Sequence, residues 1–151
     1  MFAKIDNIDI LNLLFNEKVV ITPGIRDEIL APIIYGYTYP LKVVSAIKTV
    51  TLTHEALQEY LKSQEDVTLG RGEIEAIAYC KAKKCTFVTN DIKARKLAET
   101  KGVPVISLQA LLKSLWKKKL KTKEEVREIF EMIKKADNLL MSKKDEKEIF
   151  K

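Results

Sequence analysis

Three carboxylates, Glu28, Glu73 and Asp91, stand where an α/β chain places its chemistry. Asp91 follows the β-branched and aromatic run 85–89 (CTFVT) after one intervening residue, Asn90. Glu28 lies just beyond a second such run, 18–22 (KVVIT), in the first turns of a helix that begins at Pro23. Glu73 opens a helix after Gly70-Arg71-Gly72, where a negative charge also suits the helix dipole. Open parallel sheets bind ligands beyond the carboxyl ends of their strands, so acids at these positions are expected on one rim. Each acid alone is an ordinary helix cap or helix-start residue. As a set they are hard oxygen donors with no thiolate or imidazole among them, a set that selects Mg²⁺ or Mn²⁺.

Other chemistries find little support. His54 is the only histidine, and it follows Thr53 at a helix start, where a surface or capping role fits better than Ser-His-Asp or Cys-His catalysis. Cys80 and Cys85 form a single C-x4-C pair, too few ligands for zinc and no disulfide framework; they read as two small, partly buried thiols. Gly70-Arg71-Gly72 is neither a phosphate loop nor a dinucleotide fingerprint, since it follows a polar stretch rather than a strand. The chain carries 27 Lys and Arg against 21 Asp and Glu, a formal charge of +6, which favours a polyanionic partner. A metal held by carboxylates on a basic protein most naturally works on phosphodiesters.

The elements that must position these acids emerge from the pattern. Strands are expected at 18–22, 48–52, 85–89 and 103–107, the last with Pro104 marking a sheet edge. Helices are expected from Pro23, from Thr53 to about Lys62, from Gly70 to about Lys83, and from Asp91 to Thr100, where Gly102 stops the chain. The stretch 63–68 is polar and breaks the pattern. On the Pro23 helix, Glu28 lies about 60° from Ile25 and Asp27 about 160° away, so Glu28 should turn toward the sheet and Asp27 toward solvent. Thr122-x-x-Glu125 makes a capping box before Val126, Ile129, Phe130 and Ile133, one apolar face. Strands separated by helices require parallel pairing. The expected fold is therefore α/β, a three-layer α/β/α domain over residues 1–120 with a parallel sheet. A C-terminal helical extension over 121–151 should pack on the same domain, its Lys-rich end after Ser142 fraying.

The motifs together resemble those of the PIN-domain nucleases. The likeness rests on 69–78 (LGRGEIEAIA), 88–95 (VTNDIKAR) and 102–106 (GVPVI), with 23–30 (PGIRDEIL) similar to the same family's second acidic motif. It spans roughly residues 1–120 and is nearest to stand-alone prokaryotic and archaeal members related to VapC-type toxins. The resemblance implies a five-stranded parallel sheet and a metal-dependent endoribonuclease whose acids hold Mg²⁺ or Mn²⁺ and activate a water. Carried over position by position, Glu28, Glu73 and Asp91 match the second, third and fourth motif acids, and are both the catalytic and the metal residues. Asn90 matches a small polar residue beside the site and Arg95 a helix basic residue, while Lys93 stands where some members carry another acid. The family's first motif, an Asp ending the first strand, has two readings here. In the preferred one, residues 2–15 correspond to the segment C-terminal to that strand, and the chain lacks the strand and its Asp. In the other, 2–6 is the strand and Asp6 the acid, leaving 11 residues before Lys18, close to the shortest parallel crossover.

The leading expectation is thus a Mg²⁺- or Mn²⁺-dependent ribonuclease, with the toxin of a toxin–antitoxin pair as one role and an antitoxin protein then its partner. The alternative is a catalytically impaired PIN-like protein that binds RNA or assembles with other chains. A receiver-like signalling module would need paired acids after its first strand and a phosphoacceptor Asp after a central one, and neither is evident. RNA is the expected ligand. Lys81, Lys83, Lys84, Lys93, Arg95 and Lys96 flank Asp91, and a second lysine group at 113, 117, 118, 119, 121 and 123 surrounds Trp116. Leu112, Leu115 and Trp116 at helical spacing read as a packing stripe. Self-association is expected through Trp116, Phe130 and Leu139. No apolar stretch approaches the roughly 20 residues of a membrane span, and no signal peptide is evident, so a cytoplasmic protein without membrane contact is expected.

Overall fold

The computed structural model describes residues 1–63 and 69–151, so the polar break expected at 63–68 lies, beyond Ser63, outside the described residues. In chain order the elements are a 3-10 helix Phe2–Ile5, α1 (Asp9–Phe15), β1 (Val20–Ile21), α2 (Pro23–Leu30) and a 3-10 helix Ala31–Tyr35. Next come α3 (Tyr39–Ala46), β2 (Lys48–Thr49), α4 (His54–Ser63), α5 (Arg71–Lys83), β3 (Phe87–Val88) and α6 (Ile92–Thr100). The chain closes with β4 (Val105–Ile106), α7 (Leu108–Lys117), α8 (Lys123–Asp137) and α9 (Lys143–Ile149).

The α/β class and the parallel pairing are as the alternation of strands and helices requires. β1 pairs with β2 (Val20 opposite Lys48, Ile21 opposite Thr49), and β3 pairs with β4 (Phe87 opposite Val105, Val88 opposite Ile106). Among the described residues these are two separate two-stranded sheets, not the single five-stranded sheet that the family resemblance implies. The ladders are short because helix signals crowd them. Pro23 starts α2 directly after its N-cap Thr22, and Asp91 caps α6 two residues after Thr89. Phe2–Ile5 is helical and Asp6 caps it in a left-handed conformation, φ 55°, which rules out the reading in which Asp6 ends a strand.

The chain groups into two compact units, Val20–Ser107 and the combination of Met1–Val19 with Leu108–Lys151. In the first, α5 is the central helix, packed by α2 and α4. Its core joins Ala76, Ile77, Cys80, Phe87, Ala94, Ala98 and Val103. Glu59 of α4 pairs with Lys81 of α5 at 2.7 Å. His54 is exposed at the start of α4, its ring 3.0 Å from Gln58 Nε2, while Thr53 Oγ1 accepts from the Ala56 N–H. Cys80 is buried and Cys85 half-buried; burial, with Cys85 adjacent, pushes the Cys80 thiol up.

In the second unit, α7 supplies buried Leu111, Leu112 and Leu115, and α8 supplies Val126, Ile129, Phe130 and Ile133. The α8 start carries the expected capping box, with Thr122 Oγ1 accepting from the Glu125 N–H and Glu125 Oε2 from the Thr122 N–H. The expectation of a fraying end after Ser142 is corrected. Ser142 caps α9, Ile149 is fully buried, and Glu146 pairs with Lys134 at 3.0 Å. Phe150 meets Phe130 edge-on, at 6.5 Å between ring centroids. Phe130 is therefore a core residue, not a surface for self-association. No helix among the described residues is long and apolar enough to cross a membrane.

Candidate active site

Glu28 sits on the second turn of α2 and is exposed, as is Asp27 beside it, so the expected contrast between the two does not hold. The Glu28 carboxylate turns toward α5 rather than toward a sheet, where Oε1 accepts a 2.9 Å hydrogen bond from the Gly72 N–H. That contact depends on glycine, since a Cβ on Gly72 would stand 2.7 Å from Oε1. Glu73, the next residue, accepts a 3.3 Å bond from the Gly70 N–H through Oε2. Both acids converge on Gly70, where a Cβ would lie 3.2 Å from Glu28 Oε1 and 3.9 Å from Glu73 Oε2. The glycine pair therefore holds two carboxylates against one helix start.

Asp91 is the N-cap of α6, its Oδ1 accepting from the Ala94 N–H at 2.8 Å and its own N–H donating to Thr89 Oγ1 at 3.1 Å. Burial pushes the Glu73 carboxyl above the ordinary glutamate range. The Gly70 N–H bond opposes the shift, and the negative charges of Asp91 and Glu28 add to it. Glu73 thus feels both other acids. Those two acids lie on α2 and at the N-cap of α6. Among the described residues, no group of three or more His, Cys, Asp or Glu side chains is close enough to form a ready metal cage. The donors are carboxylate oxygens, each carboxylate has one oxygen on a backbone N–H, and Mg²⁺ needs only one or two carboxylates beside its waters. Glu28 and Glu73, both turned to the Gly70–Gly72 segment, are the oxygen donors that could hold a cation with its waters.

One acid escaped the sequence reading. Glu75 is only 2% exposed, and its Oε1 accepts a 2.6 Å bond from the Gly24 N–H at the start of α2. The two helices therefore exchange carboxylates: Glu28 of α2 caps the start of α5, and Glu75 of α5 caps the start of α2. Close backbone approach makes this possible, since a Cβ on Gly24 would stand 3.0 Å from Gly72 Cα. The signal was present in the chain. Glu75 is a charge inside the apolar stretch Ile74, Ala76, Ile77, Ala78, and such a residue needs a buried partner.

Of the basic residues beside Asp91, Lys93 and Lys96 are exposed and Arg95 is half-buried one turn beyond it. A family model described as a PIN domain matches residues 1–151. Neither the curated proteins nor the solved structures contain a match.

Proposed function

Because the chain belongs to the PIN-domain family, which points to a nuclease, we propose that it is a metal-dependent endoribonuclease acting on RNA phosphodiesters. Glu28, Glu73 and Asp91 would hold Mg²⁺ or Mn²⁺. The observation that carries this reading is the convergence of Glu28 and Glu73 on the Gly70–Gly72 turn at the start of α5. Carboxylates gathered at one helix start, with Glu73 raised by burial and by the charges of Asp91 and Glu28, suit a cation. When bound, the cation supplies charge neutralisation at the phosphate and an activated water.

The chain's own residues do the positioning. Gly72, Gly70 and Ala94 donate backbone N–H groups that fix one oxygen of Glu28, Glu73 and Asp91 respectively. Preorganisation of this kind is what an electrostatic site requires. The net charge of +6 brings the polyanion to it. RNA is the partner in this reading, with self-association of the chain. As a toxin, the chain would also be held by an antitoxin protein.

The decisive experiment is cleavage of single-stranded RNA with Mg²⁺ or Mn²⁺, repeated with EDTA and with Asp91→Asn. Cleavage that survives either condition overturns the proposal. A second reading, a catalytically impaired RNA-binding or assembly protein, is favoured by the lack of a preformed metal cage among the described residues. It takes over if the intact chain shows neither cleavage nor a Mn²⁺-dependent rise in melting temperature.

A further inference from the structure

A cleft of about 340 Å³ opens in the unit formed by residues 1–19 and 108–151, which carries none of the three acids. Its lining includes Trp116, Leu120 and three lysines, Lys119, Lys121 and Lys123. Local structure puts them there. After α7 ends at Lys117, Lys119 takes a left-handed conformation, φ 57°, and the chain turns back to the Thr122 cap of α8. That turn wraps the lysines around one indole. Lys123 Nζ lies 4.2 Å from the Trp116 ring centroid and Lys117 Nζ 5.2 Å from it. The ring is held in place by its own N–H, which donates to the Ile149 carbonyl at 2.8 Å.

The charge in this cleft is largely uncompensated. Lys121 pairs with Glu125 at 3.3 Å, and the other oxygen of Glu125 is committed to the Thr122 N–H. Among the described residues, the lining Lys119 and Lys123 have no carboxylate within ion-pair distance, and neither have Lys117 and Lys118 just before the cleft. Several ammonium groups gathered around one concave surface repel each other, and a polyanion relieves that repulsion. Lysine binds phosphate as a point charge and asks for no base sequence. Leu120 beside those cations offers an apolar contact to a ribose or base. The concavity is open and at the small end of ligand-site sizes, so it offers a surface contact to a flexible strand rather than an enclosed pocket.

We propose that this cleft docks the phosphate backbone of single-stranded RNA, as a second contact independent of the acids. The inference rests on the reading of RNA as substrate, yet it is testable apart from cleavage. Trp116 is the only tryptophan, so intrinsic fluorescence reports on the cleft directly. The intact chain is titrated with a short oligouridine in EDTA. The expected result is a saturable change in tryptophan emission, weakening as salt rises and retained in Asp91→Asn. The Lys119→Gln variant should bind about threefold more weakly with an unchanged melting temperature. If that variant fails to fold, the titration of the unmodified chain still decides.

An unresponsive emission overturns the inference. So does an equal response to inorganic triphosphate, which marks a general anion site, or an equal response to duplex RNA or to an acidic peptide. Cleavage without an emission change removes this inference alone. An emission change without Mn²⁺-dependent cleavage removes the ribonuclease reading and leaves the docking cleft standing.

Discussion

Glu75 and Gly24 lie 51 residues apart in the chain, and the buried carboxylate of one receives the backbone N–H of the other at 2.6 Å. This bond joins the start of α2, the helix bearing Glu28, to α5, the helix bearing Glu73. It is a charge-assisted bond in a site that excludes water, so its loss leaves Gly24 with an unsatisfied donor. Glu75→Ala should cost about 2–4 kcal/mol of stability, measured by urea unfolding. Glu75→Gln keeps the acceptor oxygen and should cost clearly less. Equal losses in the two variants would show that the acceptor is not what matters.

Gly24 and Gly72 separate stability from site geometry. A Cβ on Gly24 meets the Gly72 backbone, which cannot move aside cheaply, so Gly24→Ala should destabilise by about 1–3 kcal/mol. A Cβ on Gly72 meets the flexible end of Glu28. Gly72→Ala should therefore keep most of the stability while displacing the carboxylate, and RNA cleavage should fall at least about tenfold for a lost transition-state contact. Parallel unfolding and cleavage assays on the pair check this.

The raised Glu73 carboxyl fixes the sign of a pH effect. A group whose folded pKa exceeds its unfolded value stabilises the fold while protonated and loses that contribution as pH rises through the folded value. Stability should therefore decline above the ordinary glutamate range, and Glu73→Gln should flatten the decline and raise the melting temperature at neutral pH. A melting curve series across pH, with and without the substitution, decides. An unchanged pH slope in Glu73→Gln would assign the decline to other groups.

Divalent cations should offset that same repulsion. Mn²⁺ should raise the melting temperature at lower concentration than Mg²⁺, following its higher intrinsic affinity for such ligands. Asp91→Asn should abolish the shift but keep the fold, because asparagine caps a helix as well as aspartate does. Asp91→Ala should additionally lose about 1 kcal/mol through the cap. Calorimetry of the three proteins at several Mn²⁺ concentrations tests both effects together.

The C-terminal helix gives a purely structural prediction. Ile149 is fully buried, and its carbonyl receives the Trp116 N–H. Ile149→Ala should cost about 2–5 kcal/mol in urea unfolding and shift tryptophan emission to the red as the indole becomes wetter. A loss below about 1 kcal/mol would mean that the end of the chain is not docked.

What could be read from the residues alone was whatever depends on neighbours three or four positions away. The Asp91 cap, the Thr122–Glu125 box, the span of α5 and the stop at Gly102 are all local hydrogen-bond geometry, and each stands where the sequence places it. The candidate acids were legible for the same reason, as carboxylates at element ends. Tertiary structure decided the rest. Glu28 faces α5 because Gly24 and Gly72 let two backbones meet, Glu75 is buried because its partner arrives from 51 residues away, and α9 is ordered because Ile149 has a core to enter. Capping is a contest within one turn of chain, whereas burial is set by whichever distant segment fills the space, and no spacing in the sequence records that.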